Sequence, residues 1–174
     1  MKRYTTGLSL FLAFIVGLWV APPAPHLPQL HGYVLTALRG PDGTVKQAEF
    51  GHNLITNAGK DAAVARILDG TSTPAIFNYV AIGTNATAEA ATDTALGTEC
   101  ASSTRQQDTD AAAGSTGVTV LDVTFAAGNC TATVTEMGVF NASSAGTILN
   151  HKTFGGIAKG SSDSLQVTVT FTLS

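Results

Sequence analysis

The sequence predicts a mainly β protein, an antiparallel β-sandwich or jelly roll with one short helix, preceded by an N-terminal hydrophobic helix. About seven or eight short runs of β-forming residues follow one another from Gly32 onward, each ended by turn residues. The last run alternates strictly: Leu165, Val167, Val169, Phe171 and Leu173 fall on one face and Gln166, Thr168, Thr170 and Thr172 on the other. A single internal segment reads as helix, so helices do not alternate with strands as a parallel α/β sheet requires.

The chain opens with Lys2 and Arg3 ahead of an apolar run, GLSLFLAFIVGLWVA at residues 7–21, followed by Pro22, Pro23 and Pro25. This is the order of an export signal. Cleavage after Ala21 would leave Trp19 at the minus-three position and Pro22 at plus one, where a signal peptidase wants small residues. The run is also short of the roughly 20 apolar residues that cross a bilayer. Three readings stay open at this stage: a cleaved signal, an uncleaved anchor in contact with a membrane, or a segment buried against a partner subunit. Residues 1–21 are therefore one unit, residues 22–31 a Pro-rich extended spacer, and residues 32–174 the β-sandwich domain.

Within the body, residues 32–39 and 44–50 flank Pro41-Asp42-Gly43. Proline fixes φ and glycine supplies positive φ, so the pair reads as a hairpin. The next segment is the helix, with Asn57 as its cap and Gly70 at its end. Ala62, Ala65, Ile67 and Leu68 give it a narrow apolar side expected to lie against a sheet. Strands are expected at 77–83, 98–105, 117–125, 129–140, 147–154 and 164–173, with a long Ala/Thr loop after Gly83 and a hairpin loop at 141–146. The unbroken apolar face of the last strand places it centrally or well covered.

Charged residues make up 12% of the 174-residue chain and the net charge is −3, where average domains carry about a quarter charged residues. Nucleic-acid binding is excluded, because it requires clustered Lys and Arg to replace phosphate counterions. A surface of Thr, Ser, Ala, Gly and Asn suits exported or assembled proteins. The two cysteines, Cys100 and Cys130, have no CxxC or Cys/His spacing and thus no zinc signature. They form one disulfide in an exported chain, or two small buried thiols in a reducing cytoplasm.

His26, His31, His52 and His151 are scattered, without HxH or HExxH spacing. No GxSxG, GxGxxG or P-loop is present, and Gly83, Gly97 and Gly138 read as strand ends, bulges or turns. Glu136 and Asp122 stand in apolar strand contexts, TEMGVF and VLDVTF, so each either points outward or is buried and hydrogen-bonded. With Asp163 they are the one set of carboxylates to weigh for calcium, but no DxDxDG spacing supports it. The Asn85, Asn129 and Asn141 sequons are expected from chance in so Asn-, Ser- and Thr-rich a chain. No catalytic set and no cofactor site emerges.

Three blocks carry a family resemblance: HNLITNAG at 52–59, YVAIGT at 79–84 leading to DTAL at 93–96, and TEMGVFNA at 135–142. Together with HKTF at 151–154 and DSLQV at 163–167, they resemble a module of tailed-bacteriophage virion proteins, over the whole body from Gly32 to the C-terminus. The apolar N-terminal segment departs from that module. The resemblance implies a non-enzymatic virion structural protein, a head decoration, fibre or tail-associated component, whose partners are other virion proteins or identical copies. Identical copies would close most simply into a ring such as a trimer. The alternative, drawn from the N-terminus, is a secreted or membrane-anchored adhesin or carbohydrate-binding surface module.

Overall fold

The computed structural model describes residues 28–69 and 74–174. The expected N-terminal helix over residues 1–21, most of the spacer, His26 and the helix terminator Gly70 lie outside the described residues.

Among the described residues, ten strands form two five-stranded antiparallel sheets. The first contains β1 (Leu30–Arg39), β2 (Val45–His52), β6 (Ala112–Ser115), β7 (Val118–Phe125) and β10 (Ser164–Leu173), in the order β2-β1-β10-β7-β6. The second contains β3 (Leu54–Ile55), β4 (Tyr79–Gly83), β5 (Gln106–Gln107), β8 (Ala132–Phe140) and β9 (Ile148–Lys159), in the order β3-β9-β8-β4-β5. Apolar side chains from both sheets meet in one core, Val34, Leu121, Phe125, Val167 and Val169 from the first and Val80, Val134, Met137, Val139 and Ile157 from the second. Of the two architectures expected, this is the sandwich.

Local turn chemistry acts where the sequence places it. Gly43 takes φ 79° in the β1–β2 turn, and the Gly40 and Thr44 backbones close it at 2.9 Å. The β8–β9 loop contains Ala145 and Gly146 at φ 51° and 73°, and the Asn141 side chain accepts from Thr147 N–H at 2.7 Å. As expected, β10 is the middle strand of its sheet, flanked by β1 and β7. Its apolar face is buried from Leu165 to Phe171, but Leu173 at the sheet's end is 55% exposed. At its start, β1 takes up Leu30 and His31, which pair with Leu173 and Thr172, and Gln29 exchanges backbone hydrogen bonds with Ser174.

Several expectations are corrected. No strand runs over 98–105; only Glu99 bridges to Gly83, and regular pairing resumes at Gln106. The helix α1 (Asn57–Leu68) is capped by Thr56, not Asn57: the Thr56 side chain accepts from Gly59 N–H at 2.9 Å and donates to Ile148 O at 2.8 Å. Thr56 caps because it still has extended backbone, while Asn57 is already in the first turn. The apolar side of α1 is covered only in part, Ala62 and Ala65 being half-buried. Ile67 and Leu68 are more than three-quarters exposed, and the helix is held by its first turn instead. There Asn57 N–H reaches Ala91 O at 2.8 Å and Gly59 lies so close to Leu149 that a Cβ would strike its backbone.

The second sheet is covered on both faces. Its inner face meets the first sheet; its outer face is roofed by the connection between β4 and β5, whose Leu96 packs with Ala81, Phe140 and Ile148. Under this roof lies the polar centre described next.

Candidate functional site: a buried polar centre

Strand β8 is buried on both faces from Glu136 to Phe140, and an ionisable side chain begins that stretch. Glu136 is fully buried on the roofed face, opposite Gly83 of β4 on one side and Thr153 of β9 on the other. An isolated buried carboxylate costs several kcal/mol unless hydrogen bonds replace its water. Here Oε1 accepts from Thr98 N–H at 2.8 Å and Asn85 N–H at 3.1 Å, and Oε2 accepts from Gly97 N–H at 2.9 Å. The fourth neighbour is His151 Nε2, 3.1 Å from Oε2. Three of these donors are backbone groups of the 84–98 connection, so the carboxylate satisfies a loop that could not otherwise be buried.

His151 is 4% exposed and stands opposite Gly138, on the same face as Glu136. Its Nδ1 lies 2.7 Å from Asp93 Oδ2, which also accepts from Ala90 N–H at 2.8 Å. Burial pushes the Asp93 carboxyl up, but the Ala90 and His151 hydrogen bonds and the imidazole's charge outweigh it and hold Asp93 below the ordinary aspartate value. Beside it, Glu89 accepts from Thr153 N–H at 3.1 Å and from the Thr153 hydroxyl, with Lys152 Nζ at 3.4 Å. Burial again raises this carboxyl, and the Thr153 hydroxyl leads the hydrogen bonds and charges that leave it below the ordinary glutamate value. Three carboxylates thus pin one connection onto β8 and β9.

The glycines noted in the sequence make room for this centre. A Cβ on Gly83 would meet the Thr98 carbonyl and stand 2.5 Å from Glu136 Oε1; one on Gly97 would stand 2.5 Å from Asn85 Cγ. Gly138, opposite His151, lies under Leu96 and Ile148.

Chemically the array holds shape. Both imidazole nitrogens face carboxylate oxygens, so neither is left to activate a hydroxyl or thiol, and Glu136 is surrounded by four partners. The carboxylates weighed for calcium are not brought together. Asp122 is exposed on β7, taken by Gln166 Nε2 at 2.9 Å and Thr168 Oγ1 at 3.3 Å. Asp163 accepts from Lys46 Nζ at 2.6 Å and Gly160 N–H at 3.1 Å in the β9–β10 turn. Among the described residues, no group of three or more His, Cys, Asp or Glu side chains is placed to hold a metal ion. Buried Lys159 closes that same turn, donating to Ala126 O at 2.9 Å and Asp163 O at 2.7 Å; burial holds it below the ordinary lysine value against the pull of Asp163.

Cys100 and Cys130 are joined in a disulfide, Cα–Cα 5.7 Å, which ties the later part of the roof to the β7–β8 turn. Of the histidines, His31 and His52 are exposed on the first sheet, His52 against Tyr33 with ring centroids at 4.2 Å. The sequon residues Asn85 and Asn141 act as turn-formers, their side chains accepting from Thr87 and Thr147 N–H at 2.7 Å. The Asp93–His151–Glu136 array was missed from sequence, where its members are 58 and 15 residues apart; the one signal was a carboxylate inside an apolar strand. Compared with known proteins, the sequence matches no family model and no curated protein.

Proposed function

We propose that this chain is a non-enzymatic structural protein of a tailed-bacteriophage particle, a head decoration, fibre or tail-associated component that works by contact with other virion proteins or identical copies. The observation that supports this reading is where the resembling blocks meet. Asp93 of DTAL, Glu136 of TEMGVFNA and His151 of HKTF form the polar centre, Gly83 of YVAIGT lies against Glu136, and Gly59 of HNLITNAG seats the helix on Leu149. The blocks make one structural unit around a hydrogen-bonded polar centre, as suits a part whose task is shape. Immunodetection on gradient-purified particles and on host envelope fractions tests it. Signal in the particles at a fixed copy number is expected; a chain found only in the envelope overturns the reading.

The second reading, a secreted or membrane-anchored adhesin or carbohydrate-binding module, is favoured by two observations. A disulfide persists in oxidising compartments. The outer face of the first sheet also presents Phe50, 71% exposed and stacked on Tyr33 with centroids 5.7 Å apart, next to His52. Retention on a glycan array, lost in Phe50→Ala, would favour it over the particle component.

A further inference from the structure

A neutral imidazole carries one N–H, yet His151 meets a carboxylate oxygen at each nitrogen, Asp93 Oδ2 at 2.7 Å and Glu136 Oε2 at 3.1 Å. Both contacts are hydrogen bonds only if the ring carries both protons or a carboxyl carries one. Otherwise one nitrogen lone pair faces an anionic oxygen in a buried site, where the low dielectric enlarges the repulsion. We propose that the Asp93–His151–Glu136 array is a proton-operated latch on the 84–98 connection, closed while both imidazole nitrogens donate and released when the array loses one proton at alkaline pH.

What the latch holds follows from the contacts. Glu136 orients Asn85, Gly97 and Thr98 by their N–H groups, and Asp93 ties the middle of the roof to β9 through His151. Leu96, between them, covers Ala81, Phe140 and Ile148. Losing the Asp93 contact frees the span between Glu89 and Leu96, and with it the Ala91 carbonyl that receives Asn57 N–H at the start of α1. The charged groups around the ring are few. Glu136 comes from β8, Asp93 and Glu89 from the roof, and Lys152 from β9 itself, its ammonium directed to Glu89. From β3, Leu54 stands opposite His151, and in α1 Lys60 and Asp61 are exposed. No cation on these elements substitutes for the lost proton among the described residues.

Hydrogen–deuterium exchange of the full chain from mildly acidic to alkaline pH, corrected for the intrinsic rate, tests this. Peptides spanning 84–98 are expected to lose protection on the alkaline side by about tenfold per pH unit, the slope for one proton, while β10 peptides stay unchanged. Asp93→Asn removes one carboxylate, so a neutral ring satisfies the remaining one; its 84–98 peptides are expected to show no such slope. His151 15N chemical shifts in the native chain give a second readout, moving from the doubly protonated to the singly protonated pattern over the same pH interval. Corrected protection that is constant across the range, a slope unaltered in Asp93→Asn, or a His151 transition without change in the loop would each overturn the proposal.

Discussion

Gly83 and Glu136 stand directly opposite each other between β4 and β8, and Gly83 leaves the space that the Glu136 carboxylate fills: a Cβ there would lie 2.5 Å from Oε1. The Thr98 carbonyl closes the same space from the roof. Gly83→Ala is therefore expected to destabilise the protein by about 1–3 kcal/mol through overpacking, with the loss read from urea denaturation. An unchanged midpoint would mean that the roof yields freely.

Glu136→Gln tests the carboxylate itself. A carboxamide has one acceptor oxygen and an NH2 that would face the donors now served by Oε1 or Oε2. A loss of about 3–5 kcal/mol is expected, because buried backbone N–H groups and His151 lose their partner. Thermal melting should show it clearly, and a loss within error would show that water replaces the side chain without cost.

The disulfide closes a loop with a sequence separation of 30 residues. Restricting the unfolded chain by that much corresponds to about 3–4 kcal/mol. Chemical unfolding with and without a reductant, and of a Cys100→Ser/Cys130→Ser double variant, should show a fall of that size in both cases. If reduction leaves the midpoint unchanged, the bridge contributes nothing to stability.

The helix cap separates two neighbouring residues. Thr56→Ala removes an acceptor for Gly59 N–H and a donor to Ile148 O, both buried, and should cost about 1–2 kcal/mol, while Asn57→Ala should cost little. Equal losses from the two substitutions would contradict the cap.

Acid should weaken the fold through Asp93, Glu89 and Asp163, all held below their ordinary values, the last chiefly by the Lys46 hydrogen bond. A carboxylate depressed in the folded state contributes fully above its unfolded value, about 4, and the contribution disappears as pH falls through the folded value. Denaturation midpoints should accordingly drop below about pH 4, and less steeply in Asp93→Asn. Stability that rises on acidification would refute the assignment.

The amino-acid sequence alone determined what is local. The Pro41-Asp42-Gly43 turn, the 141–146 hairpin loop and the alternation from Leu165 to Phe171 are short-range patterns, and each reappears where the residues place it. Glu136 was also legible as an alternative, outward or buried and hydrogen-bonded, because a carboxylate inside an apolar strand must take one of those states. The open choice between a Cys100–Cys130 disulfide and two thiols was settled by geometry, since Cα spacing is not a property of sequence separation. Tertiary structure alone decided that residues 98–105 form no strand. Thr98 N–H is spent on Glu136, Cys100 is tied to Cys130, and the segment belongs to the roof. It also decided that α1 hangs by its first turn with Ile67 and Leu68 outside, because Gly59 fits closely against Leu149 while an Ala-rich side has little to bury. The union of Asp93, His151 and Glu136 was beyond any local reading: their meeting depends on β8–β9 register and on a roof folded back over both strands, which only the packed sandwich brings about.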